Sequence, residues 1–359
     1  MSGQGETPVC LDIGLRERHL TIVGAHSTSP AVKPDIIIPY PRGESGFADC
    51  GDDSAYTMVY VRPETNNVAY ERAILSGLRA HGKIIYCANL PGSIFARDSI
   101  LQRHYPAQFR FARDPRGELA RFPEIGARIE RHFHQPVDDL RLLGSFEAAR
   151  ALGMSEEDLF ETIVPTADYL GCCGQSFKKL AGAIVVNPNL PAIVKRHAPP
   201  ANVFAVVARS RDGANRFFED SNETIFKEIT SRSETPLIDG ERLDSLVWSE
   251  RIRRTYHLSS NHLMAMFDMP DYVYTGDTTR LSPADTPLGK WLLENAAVTE
   301  EGLRAMKLFP LVRRRDSTLL YLPAAARGMK LGQIKALMED LPVPSADGGT
   351  GTPQGEAQG

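Results

Sequence analysis

The side chains best suited to chemistry fall in three short segments. Tyr56-Thr-Met-Val-Tyr-Val-Arg62-Pro63-Glu64 ends on a cation and a carboxylate, Ile100-Leu-Gln-Arg-His104-Tyr105 follows about forty residues later, and Tyr256-His257-Leu-Ser259-Ser260 lies much further along. A histidine among cations can carry out phosphoryl transfer: a neutral ring nitrogen attacks a terminal phosphate in line while positive groups neutralise its equatorial oxygens. Other constellations compete. His132-Phe-His134, with Asp138 and Asp139 behind it, has an alternation that lets an extended segment hold Zn²⁺. It also lies at the end of an expected helix, where histidines meet the C-terminal dipole favourably. Cys172-Cys173, between Gly171 and Gly174, reads as a reactive thiol or as two small buried hydrophobes. The run from Gly171 to Lys179 leads from a glycine turn toward an expected helix start that could face an anion, without the spacing of a P-loop. Arg313-Arg-Arg315 reads as a solvated turn, and there is no GxSxG, HExxH or convincing GxGxxG.

The first two segments bracket a strand, a helix and a second strand. Residues 56–61 are β-branched and aromatic and stop at Pro63, whereas residues 68–81 carry Ala69, Ala73, Ile74 and Leu78 at helical spacing. Gly82 stands where a helix-capping glycine belongs, residues 83–88 form a second strand, and residues 95–105 form one helix with Asp98 near its start. This is the order of a nucleotide-handling βαβ unit. A short buried strand is expected within 35–40, ahead of a Gly- and Asp-rich loop that runs to Asp53.

Residues 106–200 read as mainly helical, with helices over 118–133, 146–152 and 155–163, the last opened by the capping-box pattern Ser155-Glu-Glu-Asp158. A continuous apolar strand over 202–208 precedes an amphipathic helix over 212–229. Beyond the His257 segment the pattern predicts a helix over 299–308, a strand over 316–322 and a last helix over 333–339. Residues 1–7 and 344–359 are small, polar and rich in Gly or Pro, the composition of disordered ends. The elements add up to an α+β chain with an open, antiparallel sheet.

A chain of 359 residues with 42% hydrophobic content can bury a substantial core, and a net charge of −4 gives no global field to recruit nucleic acid or anionic lipid. Five cysteines without a CxxC spacing suit reduced thiols in a cytoplasm. The N-terminal residues lack a signal-peptide pattern and no apolar run approaches a membrane span, so the expectation is a soluble, cytoplasmic protein with no membrane partner. A homo-oligomer is compatible with the sequence.

Together the three segments resemble the scattered active-site segments of nucleoside-diphosphate kinases. In that family the first strand ends in Lys-Pro-Asp, and here it ends in Arg62-Pro63-Glu64. An arginine fork then stands in for a lysine point charge. A His-Tyr pair follows the second strand, as His104-Tyr105 does here, with a phenylalanine a few residues on that stacks the base; Phe109 and Phe111 occupy that region. The resemblance places two further phosphate-binding arginines at Arg216, after the third strand, and at Arg242. The catalytic segment corresponds to Arg254-Thr-Tyr-His257-Leu-Ser-Ser-Asn261, where Leu258 replaces a glycine, Arg254 an asparagine, and the acidic residue of the motif is missing. It covers about 130 of the 359 residues, in two pieces.

What the resemblance implies is a ferredoxin-like antiparallel core made of residues 8–105 and 201–275, with a helical insertion over 106–200 and an α/β extension over 276–343. The expected ligand is ATP or another nucleoside di- or triphosphate, with Mg²⁺ bridging its phosphates. His257 is the expected phosphohistidine, and Arg62, Tyr105, Phe111, Arg216, Arg242 and Arg254 are the expected nucleotide- and phosphate-binding side chains. Two other readings stay open: an enzyme whose small-molecule pocket lies in the insertion, lined by Asp168, Cys172, Cys173 and Lys178, and a non-catalytic interaction protein that keeps only the fold.

Overall fold

The computed structural model describes residues 33–41, 54–211, 216–231, 255–276 and 279–341. The expected disordered ends, most of the loop before Asp53, Arg242 and Arg254 lie outside the described residues. Along the chain come β1 (Asp35–Ile38), β2 (Tyr56–Val61), α1 (Val68–His81) and β3 (Gly82–Pro91), then three short helices, α2 (Gly92–Arg97), α3 (Ile100–His104) and α4 (Pro106–Arg113). The insertion continues through α5 (Pro115–Arg121), α6 (Pro123–Phe133), β4 (Leu142–Gly144), α7 (Ser145–Leu152), α8 (Glu156–Glu161), β5 (Tyr169–Cys172), β6 (Gln175–Leu180), β7 (Ala183–Val186) and α9 (Leu190–Arg196). The main sheet resumes with β8 (Asn202–Ser210), α10 (Phe217–Ser231) and β9 (Tyr256–Leu258). The chain then runs through α11 (His262–Tyr272), α12 (Pro287–Asn295), α13 (Glu300–Leu308), β10 (Leu311–Arg313), β11 (Leu319–Tyr321), α14 (Leu322–Ala325) and α15 (Leu331–Glu339). This is a mixed α+β architecture, and no helix among the described residues is long and apolar enough to cross a membrane.

The main sheet has five strands in the order β1-β3-β8-β2-β9, and every neighbouring pair is antiparallel. Strand alternation divides its side chains between two cores. Val59, Val61, Phe204 and Val206 pack under α1 and α10, while Tyr60, Met58, Val203, Ala205 and Tyr86 face a larger core on the other side. Tyr60 pairs with His257 across β2 and β9, so both side chains share that second face.

α1 starts where Asn67 accepts hydrogen bonds from the Ala69 and Tyr70 amides and buries Ala73, Ile74 and Leu78, as its spacing requires. Gly82 follows it but is extended rather than left-handed, so its glycine has a different cause. A Cβ there would stand 2.5 Å from the Arg209 carbonyl oxygen and 3.0 Å from the Phe217 ring. Gly82→Ala should therefore destabilise the protein by about 1–3 kcal/mol in urea unfolding, the range of an overpacked site.

Four sequence expectations are corrected. The helix expected over 95–105 is two helices, broken where Ser99 adopts φ 49. The helix expected over 118–133 is likewise split, because Pro123 has no N–H to continue the first and opens a second at its N-terminus. The insertion is not only helical: β4, β7, β6 and β5 form a second sheet, in which β4 and β7 run parallel. The glycine turn at Gly171 leads into a β-hairpin instead of a helix, with Cys172 opposite Gln175 and Cys173 and Gly174 at positive φ between them.

The region after residue 276 is integral to the fold. Leu288, Leu292, Leu303, Met306, Leu331 and Ile334 belong to the same core as Tyr60 and Tyr86. The capping box at Ser155 and Asp158 is present.

Candidate functional site

On the second face of the sheet, β9 supplies His257, α3 supplies His104 and α11 supplies two carboxylates, Asp268 and Asp271. The last two are three residues apart and so share one side of their helix. Asn261 caps α11 by accepting from the Met264 amide, and Leu263, Met266 and Met269 anchor the helix in the core. The carboxylates are thereby held where water does not reach: Asp271 is 0% and Asp268 6% exposed.

His257 donates from Nε2 to Asp268 Oδ2 at 2.8 Å, and Ser259 Oγ donates to the same oxygen at 2.7 Å. Ser259 is fixed in turn by the Met58 carbonyl. The second ring nitrogen of His257, Nδ1, makes no hydrogen bond to the described residues and is not buried. Burial pushes the Asp268 carboxyl up, but the His257 and His104 rings and the hydrogen bonds from His257 and Ser259 outweigh it and hold the pKa at about 2. Asp268 is therefore an anion at neutral pH, and an anionic acceptor puts the His257 proton on Nε2.

Tyr60 stacks on His257 with ring centroids 5.0 Å apart and on Tyr272 at 4.6 Å, and the edge of His104 meets the His257 ring at 5.0 Å. The Tyr60 and Tyr105 hydroxyls share a hydrogen bond of 2.8 Å. His104 Nδ1 lies within ion-pair distance of both carboxylates, 3.5 Å from Asp268 Oδ1 and 3.6 Å from Asp271 Oδ2, and is buried with no hydrogen bond of good geometry. Burial holds the His104 pKa below its ordinary value, although both carboxylates oppose it. Asp271 is held by Lys307, which comes from α13 and whose Nζ stands 2.5 Å from Oδ2 and also donates to the Phe267 carbonyl. Arg103 approaches its other oxygen at 3.5 Å.

Arg62 stands at the end of β2, directly after the Tyr60 pair. Its electrostatic neighbours are Tyr105, Tyr60, Glu64 and Tyr272. Glu64 is engaged by Arg196, whose fork also holds Glu157 at 2.5 Å and Glu161 at 2.9 Å. Among the described residues no carboxylate lies within ion-pair distance of the Arg62 guanidinium, which makes no hydrogen bond to them. Behind it sits His197, 1% exposed, with Nδ1 bonded to the Ile193 carbonyl at 2.7 Å and Nε2 buried without a partner.

Burial, joined by the charges of Arg62, His104 and Arg196, pulls the His197 pKa down to about 3 against the Ile193 bond. An unfolded histidine titrates near 6.5. The fold therefore prefers the neutral ring, and this contribution to stability is complete above about pH 6.5 and is lost as pH falls toward about 3. The loss runs at about 1.4 kcal/mol per pH unit. In urea titrations His197→Gln should flatten the acid side of the stability profile by about that slope; an unchanged slope would mean that His197 does not report the acid transition.

Of the expected site residues, Arg62, Tyr105 and His257 come together with His104. Phe111 does not join them: it is fully buried in the insertion core with Phe122, Ile125 and Phe177, leaving no face on which a base could stack. Arg216 opens α10, on the opposite face of the sheet, where its side chain is 75% exposed and pairs with Asp220. In the insertion Lys178 is turned inward and donates to the Leu159 and Thr162 carbonyls at 2.8 and 2.9 Å, tying β6 to the end of α8. This removes it from the expected small-molecule pocket. His132 lies in the last turn of α6 and His134 caps it at φ 53, the helix-end arrangement.

Asp268, Asp271, Lys307 and Tyr272 were not expected at the site, and Tyr60 and Ser259 lie in its expected segments without a role assigned to them. Two carboxylates three apart in the otherwise apolar run of α11 are the signal that points to them. No protein-family model, curated protein or solved structure matches this chain. The case for function therefore rests on the geometry.

Proposed function

We propose that the protein binds a nucleoside di- or triphosphate beside Arg62 and transfers its terminal phosphoryl group through His257. The observation that carries this reading is the Asp268–His257 pair. A carboxylate on Nε2 leaves the Nδ1 lone pair unprotonated and open. In the step proposed, Nδ1 attacks the terminal phosphorus, the bond to the bridging oxygen breaks, and the leaving nucleoside diphosphate carries the electron pair away. The Nε2 proton stays on the ring, and the Asp268 carboxylate that accepts it offsets the cationic character that the attack creates. A second nucleoside diphosphate reverses the step.

Arg62 suits the role of anion anchor, because a guanidinium that among the described residues has Tyr105, Tyr60 and Tyr272 about it and no carboxylate at ion-pair distance is completed by an anionic oxygen. Mg²⁺ supplies charge neutralisation when it arrives on the phosphates. The carboxylates beside His257 are engaged by His257, Ser259 and Lys307, so they offer Mg²⁺ no all-oxygen cage, which suits its delivery with the nucleotide.

The order β3-β8-β2-β9, with α1 and α10 packed together on one face, agrees with a βαββαβ ferredoxin-like core. This supports the resemblance to nucleoside-diphosphate kinases at the level of topology. Phe111 and Arg216 contribute nothing to such a site, so base recognition would differ from that family.

The test is to incubate the full chain with Mg²⁺ and γ-labelled nucleoside triphosphates. Acid-labile, base-stable label approaching one per chain, absent in His257→Gln, is the expected result. No label with any common nucleotide at millimolar concentration, from protein whose melt is cooperative, would end the proposal.

A further inference from the structure

We propose that His104, His257 and Asp268 form a binding site for a divalent transition-metal ion of the zinc or cobalt kind. The inference shares His257 with the proposed phosphoryl transfer but does not rest on it. The ligand atoms of the three residues all lie within 4.8 Å of one another. Two ligands bonded at about 2.0–2.2 Å to one ion stand about 3–3.5 Å apart in a tetrahedral or octahedral shell. His257 Nε2 stands 2.8 Å from Asp268 Oδ2 and His104 Nδ1 3.5 Å from Oδ1, so the carboxylate already presents an oxygen to each ring.

The independent observation is His104. Its side chain is 2% exposed and its Nδ1 points at the carboxylates without a hydrogen bond. A buried nitrogen left in that state is unfavourable, and a metal bond to its lone pair removes the cost. Two of the ligands come from α3 and α11, which are anchored in one core, and the third from β9, which is paired to β2 in the main sheet, so the site is held by the scaffold. Ser259 on Asp268 is the outer partner that orients the carboxylate.

Two imidazoles and one carboxylate select borderline ions such as Zn²⁺ or Co²⁺ over Mg²⁺, which prefers oxygen. The ion replaces the Nε2 proton of His257, which leaves to solvent. A metal on Nε2 also draws electron density from the ring and lowers the nucleophilicity of Nδ1. Metal loading and phosphoryl transfer are thus competing uses of one imidazole.

Co²⁺ titration of the metal-free full chain, followed by calorimetry and visible absorption, tests this. The expected result is one ion per chain, a ligand-field spectrum without thiolate charge transfer, and an affinity at least 100-fold weaker in His104→Gln. Binding should survive Cys172→Ser with Cys173→Ser. No stoichiometric binding at 100 µM Co²⁺, a thiolate charge-transfer band, or equal affinity in His104→Gln would overturn the proposal. If His104→Gln does not fold, X-ray absorption of the wild-type Co²⁺ complex decides: two imidazoles in the shell support the site, and fewer reject it. None of these readouts depends on nucleotide, so failure of the metal site leaves the phosphoryl proposal standing, and the reverse holds.

Discussion

Asp268→Asn is expected to slow labelling of His257 by about 10²–10⁴-fold, in line with removal of the orienting carboxylate from other carboxylate–histidine pairs. The cause is a change of tautomer. In the wild type the Asp268 carboxylate, held ionised at about pKa 2, can only accept, so Nε2 of His257 keeps the proton and Nδ1 keeps its lone pair. Ser259 also donates to that oxygen, so an asparagine placed there meets a hydroxyl donor on one side and the ring on the other. Where the amide nitrogen takes the place of that oxygen it donates to Nε2, Ser259 turns its hydroxyl proton to the Met58 carbonyl, and the ring proton moves to Nδ1. Long-range nitrogen–proton NMR of labelled histidine reads this directly: the Nε2–H form in the wild type, the Nδ1–H form in the variant. If the tautomer switches while labelling is unaffected, the nucleophile is not Nδ1 of His257. Asp268→Glu, which keeps the charge, should preserve the Nε2–H form.

The largest stability effect is expected at Lys307. Lys307→Met should cost about 3–5 kcal/mol in urea unfolding at pH 7, because it leaves the fully buried Asp271 without its main counter-charge. Burial alone would raise the Asp271 carboxyl, but Lys307 first, then His104 and Arg103, outweigh it and hold it below the ordinary carboxylate range. In the wild type this pairing stabilises the fold above the unfolded carboxylate pKa of about 3.9 and is lost as pH falls through the lower folded value.

Lys307→Met reverses the sign. Burial then governs, the folded carboxyl rises above its unfolded value, and the variant gains stability relative to the wild type as the pH is lowered toward 4. Asp271→Asn combined with Lys307→Met should recover most of the loss, since a neutral buried pair carries no unpaired charge. A double variant as unstable as Lys307→Met alone would show that Lys307 acts through the Phe267 carbonyl instead.

These two positions also mark where sequence reading stops. β2, α1, β3 and β8 are legible because each has one dominant period: an unbroken buried run in β2 and β8, a helical stripe in α1. Their order then brings Arg62, His104, Tyr105 and His257 toward one face. Asp268 and Asp271 are hidden because α11 carries Pro270 inside it and ten of its eleven residues are buried, so its run reads as two apolar fragments. Lys307 looks like the ordinary basic end of an amphipathic helix until α13 is seen to lie against α11.

The insertion's sheet was illegible for a different reason. Its strands are three to six residues long, β6 carries two lysines, and β4 finds β7 only across some forty residues of chain. Short polar strands are defined by their partners, and partnership is not a local property. The same holds for Phe111 and Arg216, whose types and spacing suit a nucleotide site but whose faces of the fold do not.

The ion pair between Asp271 and Lys307 spans 36 positions, and the contact between His104 and Asp268 spans more than four times as many. A polypeptide leaving the ribosome in order therefore exposes His104 and the tyrosines of β2 long before α11 exists, and Asp271 before its counter-ion. Domains tend to fold as units during synthesis, and contacts between distant positions close slowly. A nascent chain halted before residue 300 would contain every proposed catalytic side chain yet lack the cation that makes the buried carboxylate tolerable. The centre is thus among the last parts of the molecule to become stable, and its appearance in a folding experiment would report that the whole chain, including its final helices, has closed.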